Sequence, residues 1–356
     1  MSSQANDNSH TGIAHVADQR DTSRFKLPKV SVIVPNYNHA KYLPERLESI
    51  FSQTCQDFEL IILDDCSTDD SKRVIEEFSH DSRVVTCFNE SNSGCVFRQW
   101  NKGLDLASGE LIWIAESDDY SDPEFLETMV TLLDSQPDVG IAFCCSHRVA
   151  DGKVTLPLER WFKEFHASYV SDFVANGREY VASQMLFLNT IPNASSAVFR
   201  RALALKTGPA DDSYLLSGDW DYWIRLLLHA DLGYVARPLN YYRYHESTAR
   251  HAHSKNGVML EEGIRIALKV MENVNVSKES SELIRERLVS WYIDVRTNHS
   301  SEIPASRLRN VDHLAGQLHK HARWRFLAYR FGLLWLWFGI RRRMLDVAGF
   351  VKKVFR

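Results

Sequence analysis

The stretch Val30-Ser31-Val32-Ile33-Val34-Pro35-Asn36-Tyr37-Asn38 decides the fold class of this chain of 356 residues. Four of its first five residues are apolar and β-branched, which is typical of a strand buried on both faces of a parallel sheet. Pro35 is predicted to end the strand. The stretch therefore predicts a buried parallel strand that is followed directly by polar residues.

From this strand onward, predicted strands and helices alternate as far as Cys145. The further strands are Phe58–Leu63, Val84–Phe88, Leu111–Ala115 and Gly140–Cys145, and the helices between them are Tyr42–Gln53, Ser67–Phe78, Phe97–Ala107 and Pro123–Ser135. This alternation predicts an α/β fold with a doubly wound parallel sheet flanked by helices. After Ala150 the pattern loosens, and we predict strands at Asn193–Arg201 and Tyr234–Tyr244 and helices at Gly218–His229, Gly257–Asn273 and Lys278–Asn298.

The composition is that of a globular protein with a substantial core, since 44% of the residues are hydrophobic and 25% are charged. The formal net charge of −4 gives no support for binding to nucleic acid. The charge is uneven, because residues 322–356 contain nine Lys/Arg and one acidic residue. We predict a disordered leader at 1–28, an α/β domain at 29–250, a helical extension at 251–321 and a basic amphipathic tail at 322–356.

Polar residues follow three of the predicted strands, at 35–38, 64–65 and 116–119. Ligands of doubly wound sheets bind beyond the carboxyl ends of the strands, so these positions predict a site. No GxGxxG motif follows the first strand, which argues against a dinucleotide-binding fold. No GxxxxGK[ST] motif occurs either, which argues against a P-loop NTPase.

The carboxylates of Glu116, Asp118 and Asp119 lie within four residues and repel one another. They are compatible with a bound Mg²⁺ or Mn²⁺, which favour carboxylate and phosphate oxygens. The alternative is an acidic turn that caps the next helix. The pair Asp64-Asp65 leaves a similar choice between capping a helix and accepting a hydrogen bond from a uracil imide or a ribose hydroxyl.

Asp219 and Asp221 flank Trp220 at a predicted helix start. One of them is expected to cap the helix, whereas a carboxylate near a bound sugar can act as a general base toward an acceptor hydroxyl. His245 ends the run Tyr241-Tyr242-Arg243-Tyr244-His245, and a single histidine of this kind is either structural or a ligand.

Together these motifs resemble the family 2 glycosyltransferases, which have the GT-A fold, from Val30 to about Arg250. The opening strand is followed in the expected order by Leu47–Thr54, Phe58–Asp69, Asn92–Gly94, Asn101–Leu104, Ala107–Glu110, Glu116–Asp119, Gly218–Asp221 and Tyr242–His245. Each motif alone is weak, whereas the ordered set is specific. The resemblance implies a GT-A doubly wound mixed sheet with a C-terminal helical extension, in an enzyme of bacterial surface-polysaccharide assembly.

The resemblance also implies a role for individual residues. Those that would hold the nucleotide sugar are Pro35, Tyr37, Asn38, Asp65, Asn101, Glu116 and Ser117. Asp65 would face N3 of a uracil, and Asp118 would bind Mg²⁺ or Mn²⁺ at the diphosphate, with His245 as a further ligand. Asp219 would be the general base of an inverting transfer, and Trp220 and Asp221 would contact the acceptor. The donor would be a nucleotide-diphosphate sugar, with a UDP-sugar favoured, and the acceptor a glycan or lipid-linked hydroxyl.

Two positions depart from the family pattern. Glu116 stands where many members have Asp, and Gly218 stands where many have Glu before the Asp. Two other functions stay open. One is a nucleotidyltransferase, which is expected to have a glycine-rich basic loop after the first strand, and the other is a protein that binds sugar nucleotides or polysaccharide without catalysis.

The tail at 322–356 mixes aromatic and basic residues, which is typical of helices at an anionic lipid interface. A helix that packs back on the α/β domain is the alternative. Attachment to a membrane surface would place the protein in the cytoplasm, peripheral at the inner face of the cell membrane.

Overall fold

The computed structural model describes residues 27–150, 152–157, 167–245, 257–319 and 326–327. The predicted leader, apart from Leu27 and Pro28, lies outside these ranges, and so does the predicted tail, apart from Phe326 and Leu327. The domain boundaries that depend on the other residues stay predictions.

Ten strands of the described residues form one sheet. In chain order they are β1 (Val30–Asn36), β2 (Phe58–Asp64), β3 (Val84–Phe88), β4 (Leu111–Ile114), β5 (Tyr120–Ser121), β6 (Val139–Ala150), β7 (Lys153–Pro157), β8 (Phe173–Ala175), β9 (Ala197–Arg200) and β10 (Asp231–Tyr244). Their order across the sheet is β3-β2-β1-β4-β9-β6-β10-β5, with β7 beside β6 and β8 beside β10. The first four strands are parallel, as their alternation with helices predicts.

The sheet is mixed because β9 lies between β4 and β6 and is antiparallel to both. The wholly parallel sheet that periodicity predicts is therefore wrong in this half of the molecule, whereas the mixed GT-A sheet implied by the resemblance is confirmed. Three of the four residues of β9 are buried. A short buried strand shows no alternation from which its direction could be read.

The described residues contain ten α-helices. They are α1 (Leu43–Phe51), α2 (Ser71–Phe78), α3 (Val96–Leu106), α4 (Phe125–Ser135), α5 (Gly177–Tyr180), α6 (Arg201–Thr207), α7 (Gly218–Leu227), α8 (Val258–Asn273), α9 (Lys278–Asn298) and α10 (Ala305–Leu318). The helix predicted from Ser67 begins at Ser71 instead. The side chains of Asp64 and Asp69 accept hydrogen bonds from the N–H groups of Ser67 and Ser71, which builds turns in place of the first helical turn.

The strands direct alternate side chains into two hydrophobic cores, one on each face of the sheet. Val32 of β1 belongs to the core that also contains apolar residues of α1, α2 and α4, whereas Ile33 belongs to the core that contains residues of α3 and α7. A Cβ atom at Gly103 of α3 would lie 2.4 Å from Cγ2 of Ile33. Glycine at this position therefore allows α3 to lie close against β1.

The three C-terminal helices pack on the α/β domain. Leu260 and Ile264 of α8 are buried in the same core as Trp223 of α7. Lys269 Nζ of α8 also forms an ion pair with Asp221 Oδ1 of α7 at 2.8 Å. Among the described helices, none has both the length and the hydrophobicity required to cross a membrane.

Phe326 of the predicted tail is buried against α9. Its ring centroid lies 6.1 Å from that of Tyr292, and the guanidinium of Arg296 lies over its ring. The alternative interpretation of the tail, a helix that packs back on the protein, predicts such a contact, and it is observed at Phe326 alone among the described residues of the tail. Attachment of the remaining tail to a membrane stays a prediction.

Candidate active site

The loops after β1 and β2 are bonded to each other at the carboxyl edge of the sheet. Asn36 Nδ2 donates to Asp64 Oδ2 at 2.7 Å, and the backbone N–H of Asn38 donates to Ser67 Oγ at 2.9 Å. Asn38 has a φ of 56°, a left-handed conformation that asparagine tolerates, and its Oδ1 accepts the N–H of Thr68 at 2.7 Å. Asn38 therefore shapes this loop, and its predicted contact with a nucleotide sugar stays a prediction.

Pro35 and Tyr37 flank Asn36 at the end of β1. Pro35 is a buried member of the strand, paired with Leu63, so the strand continues one residue past the predicted end. Tyr37 is 45% exposed. Its ring is therefore accessible to a planar ligand, as a contact with a base requires.

Asp65 lies immediately after β2, and the residue is 5% exposed. It accepts hydrogen bonds from Asn89 Nδ2 at 2.6 Å, from Ser93 Oγ at 2.7 Å and from Gln99 Nε2 at 2.9 Å. Asp65 thus holds the segment between β3 and α3 against β2. Its predicted contact with uracil stays a prediction, and a base at this position would share the carboxylate with these donors.

The three neighbouring carboxylates after β4 have different surroundings. Glu116 Oε1 accepts a hydrogen bond from Trp100 Nε1 at 2.9 Å. Burial, together with the charge of Asp118, raises the pKa of Glu116 to about 8. The longer side chain of Glu116 therefore contacts α3, and the group is protonated for much of the time at neutral pH.

Asp119 is buried, with 2% exposure, and its carboxylate contacts other parts of the chain. Its carboxylate accepts hydrogen bonds from Ser195 Oγ at 2.7 Å, Asn193 Nδ2 at 2.9 Å and the backbone N–H of Arg243 at 3.0 Å. Burial and the charge of Asp118 raise the pKa of Asp119 to about 6. Asp119 therefore joins the loop after β4 to β10 and to the segment before β9.

Asp118 contacts His245, as the resemblance requires of two metal ligands. Asp118 Oδ2 lies 2.9 Å from His245 Nε2, and the two side chains are 18% and 14% exposed. Burial alone would raise the pKa of Asp118, but the hydrogen bond with His245 and the proximity of His39 bring it below its ordinary value. Asp118 is thus an ionised carboxylate at the edge of the sheet.

His39 completes a group that the sequence did not reveal. His39, Asp118 and His245 each offer one ligand atom, and these atoms all lie within 4.8 Å of one another. We call these three residues the His–Asp–His cluster. Burial lowers the pKa of His39, which favours the neutral imidazole that can bind a metal. His39 follows directly on the polar residues at the end of β1, but its position in the sequence does not show that it lies near Asp118 and His245.

Ser117 acts on this cluster through His39. Ser117 Oγ lies 2.8 Å from His39 Nδ1, and the serine is 2% exposed. The predicted contact of Ser117 with the nucleotide sugar stays a prediction, whereas its contact with a cluster residue is observed. Imidazole and carboxylate ligands suit a divalent cation, so the His–Asp–His cluster fits the metal that the resemblance implies.

Two arginines support the acidic loop at 116–119, which follows β4. Neither of them is a predicted site residue. Arg46 of α1 is fully buried, and its Nε donates to the backbone carbonyl of Glu116 at 2.9 Å. Burial lowers the pKa of Arg46 to about 10, so the guanidinium remains charged near the carboxylates. Arg243 donates from a terminal nitrogen to the backbone carbonyl of Asp118 at 2.6 Å and pairs with Glu45.

Asp219 lies in the first turn of α7 and is partly exposed. Its Oδ2 accepts a hydrogen bond from Asn189 Nδ2 at 3.0 Å. A Cβ atom on the preceding Gly218 would lie 2.5 Å from Cε2 of Phe97, a buried ring of α3. The departure from the family at Gly218 thus has a steric reason, since Phe97 fills the space of a side chain.

Three predicted site residues have their polar atoms engaged elsewhere. Asp221 is 3% exposed at its side chain and pairs with Lys269 and with Arg225. Trp220 Nε1 donates to the carbonyl of Met185 at 2.9 Å. Asn101 bonds both the carbonyl and the N–H of Ala210, at 2.9 and 2.8 Å. These contacts give Asp221 and Asn101 structural roles, and the predicted contacts of Asp221 with the acceptor and of Asn101 with the donor stay predictions.

Residues 31–202 match the family described as "Glycosyl transferase family 2". The chain is 36% identical to "Glycosyltransferase GlyG" of Streptococcus pneumoniae over 35% of its own length and 41% of that protein. It is 36% identical to "Poly(ribitol-phosphate) beta-N-acetylglucosaminyltransferase TarS" of Staphylococcus aureus over 30% of its length and 19% of that protein. The chain therefore spans less than half the length of these two relatives.

Solved structures resemble a larger part of the chain. A structure of S. aureus TarS residues 1–349 in complex with UDP-GlcNAc covers 85% of this chain, with a TM-score of 0.64 and 20% identity, and 92% of that structure is matched. The mannosyltransferase PcManGT from Pyrobaculum calidifontis, in complex with GDP-Man and Mn²⁺, covers 92% of this chain with a TM-score of 0.53 and 16% identity, and 86% of it is matched. At these identities the likeness establishes the fold.

Proposed function

We propose that this chain, whose residues 31–202 match the family described as "Glycosyl transferase family 2", transfers a sugar from a nucleotide-diphosphate sugar to a hydroxyl group. The observation that carries the proposal is the contact of Asp118 Oδ2 with His245 Nε2 at 2.9 Å, at the carboxyl edge of the sheet. Carboxylate and imidazole ligands of this kind would hold a divalent cation where the diphosphate of a donor binds in a sheet of this type.

The donor is a UDP-sugar, and UDP-GlcNAc is the first to test. Support comes from the fold shared with the TarS structure that contains UDP-GlcNAc, and from the exposed ring of Tyr37 beside the predicted base position. The identity to that structure is low, so GDP- and dTDP-sugars belong in the same screen.

Transfer proceeds by a single displacement with inversion. The carboxylate of Asp219 accepts the proton of the acceptor hydroxyl, and the acceptor oxygen forms a bond to the anomeric carbon. The bond from that carbon to the diphosphate oxygen breaks on the opposite face. A divalent cation held by Asp118 and His245 would supply charge neutralisation for the departing diphosphate. Asn189 orients the general base through its hydrogen bond to Asp219 Oδ2.

The acceptor is a hydroxyl of a glycan or of a lipid-linked glycan in the assembly of a surface polysaccharide. This part of the proposal is supported by the names of the relatives and by the basic, aromatic sequence of the tail. A lipid-linked acceptor agrees with a protein that works in the cytoplasm at the inner face of the cell membrane.

The test combines a donor screen with one substitution. The full chain is incubated with UDP-, GDP- and dTDP-sugars and Mn²⁺ or Mg²⁺, and release of nucleoside diphosphate is measured with water or a glycan as acceptor. Asp118→Ala is expected to abolish release and to weaken donor binding while the fold is retained. The control is Glu90→Ala, which removes an exposed carboxylate from the loop after β3.

Chelation by EDTA is expected to reproduce the loss, and added Mn²⁺ to reverse it. Full turnover in excess EDTA would contradict the metal assignment. Binding of a sugar nucleotide without any turnover would favour a binding protein. Formation of a sugar nucleotide from a nucleoside triphosphate and a sugar phosphate would instead favour a nucleotidyltransferase.

A further inference from the structure

We propose that His39 is a third protein ligand of the divalent cation, so that the chain holds its metal with two imidazoles and one carboxylate. The inference deepens the proposed function, because the cation is taken to be the one that serves sugar transfer. The His–Asp–His cluster carries the argument, since its three ligand atoms lie within 4.8 Å of one another. That spacing fits three ligands around one cation.

The loop that carries His39 is fixed on both sides of the residue. On one side, Asn38 is bonded to Ser67 and Thr68 through its backbone and side chain. On the other side, the N–H of Ala40 donates to Asp69 Oδ2 at 2.9 Å. The imidazole is therefore presented from a braced turn, as a preorganised ligand requires.

Tyr42 supports both imidazoles of the cluster. Its ring stacks on His245 with centroids 5.0 Å apart, and it meets the ring of His39 edge-on at 5.8 Å. The two imidazoles lie edge to face at 5.7 Å. One aromatic side chain thus limits the rotation of both histidines next to Asp118.

Ser117 can fix the tautomer of His39. With a proton on Nδ1 that is donated to Ser117 Oγ, 2.8 Å away, Nε2 retains the lone pair that a metal requires. Histidines that bind metals commonly donate their other N–H to such a partner. The same assignment explains why a serine lies buried between Glu116 and Asp118.

The set of ligands determines which cations bind well. Mg²⁺ prefers oxygen ligands and keeps most of its waters, whereas Mn²⁺ accepts imidazole together with carboxylate. Two imidazoles should therefore make this chain favour Mn²⁺ over Mg²⁺. Replacing one imidazole by a carboxylate should reduce that preference.

The experiment measures metal binding rather than activity. The metal-stripped full chain is titrated with Mn²⁺ and with Mg²⁺ by calorimetry, with and without UDP. His39→Gln is expected to weaken Mn²⁺ binding at least tenfold, and His39→Asp to lower the ratio of Mn²⁺ to Mg²⁺ affinity. The control His229→Gln changes an exposed histidine and should stay within twofold of the wild type. Circular dichroism verifies that each variant is folded.

Pulsed electron paramagnetic resonance of bound Mn²⁺ provides a second reading. The wild type should show coupling to two imidazole nitrogens, and His39→Gln coupling to one. Equal Mn²⁺ affinity and an unchanged nitrogen signal in His39→Gln would overturn the assignment of His39, while loss of binding in Asp118→Ala would leave the proposed function intact. If Asp118→Ala also binds Mn²⁺ normally, or if the wild type binds none with or without UDP, the metal site itself is refuted.

Discussion

Glu262 of α8 is expected to control the position of Asp219, the proposed general base, although it lies 43 residues beyond Asp219 in the sequence. Its buried carboxylate accepts the backbone N–H groups of Leu215 at 2.6 Å, Leu216 at 3.1 Å and Ser217 at 2.7 Å. These residues lead directly into α7, which begins at Gly218 and carries Asp219 in its first turn. The helical extension thus holds the loop that sets the start of this helix.

The perturbation is Glu262→Gln, which keeps the size of the side chain but replaces one acceptor oxygen with an NH₂ group. A hydrogen bond to a charged group contributes about 1.5–3 kcal/mol, and an unpaired buried N–H costs about 1–3 kcal/mol. Such terms are not additive, so we expect the free energy of unfolding to fall by about 2–4 kcal/mol. The displaced loop should also lower kcat at least tenfold, with the KM for the donor changed less than threefold.

The assay measures urea unfolding and the steady-state release of nucleoside diphosphate from the sugar nucleotide selected by the donor screen. Glu261→Gln is the matched control, because it removes the same charge one residue earlier. Glu261 pairs with Arg307 at 2.9 Å in a partly exposed site, and such pairs contribute about 0–1 kcal/mol. A destabilised Glu262→Gln with the kcat of the wild type would refute the link between this carboxylate and Asp219.

Three further predictions concern the base, its neighbour and the tail. Asp219→Asn should lower the rate about 10²–10⁴-fold with donor affinity unchanged, and a near-normal kcat in steady-state assays would rule Asp219 out. Gly218→Ala should destabilise the fold by about 1–3 kcal/mol in urea unfolding because of the Phe97 ring, and an unchanged stability would contradict that packing. Removal of 328–356, which carries seven Lys/Arg and one acidic residue, should abolish sedimentation with anionic vesicles at low salt. Because Phe326 is retained, stability should be preserved, and continued sedimentation would reject the membrane role.

The sequence predicted the part of the fold that is determined by local patterns. The buried strands β1, β2 and β4 consist mostly of apolar residues, and the polar residues predicted to follow them do lie at one edge of the sheet. The direction of β9 was not predictable, because a strand of four residues has no pattern that distinguishes parallel from antiparallel pairing.

The sequence predicted that Asp118 and His245 lie together, because each follows the end of a strand, and the structure places their side chains 2.9 Å apart. His39 was missed because its distance to these residues depends on how two loops are bonded, which periodicity does not report. Arg46 was missed because a charged residue on a helix normally indicates a solvent-exposed position, whereas here it is fully buried beneath the acidic loop. The structural contacts of Asn101 with Ala210 and of Asp221 with Lys269 were not predictable, because the partners lie far away in the sequence.

The central claim is that Asp118 holds a divalent cation at the diphosphate of a sugar-nucleotide donor. The most direct measurement is a crystal structure of the full chain with UDP and Mn²⁺, with anomalous data collected at the manganese edge. The account predicts one anomalous peak within bonding distance of a carboxylate oxygen of Asp118 and of the UDP diphosphate. A diphosphate bound without the cation, or a manganese peak remote from Asp118, would contradict it.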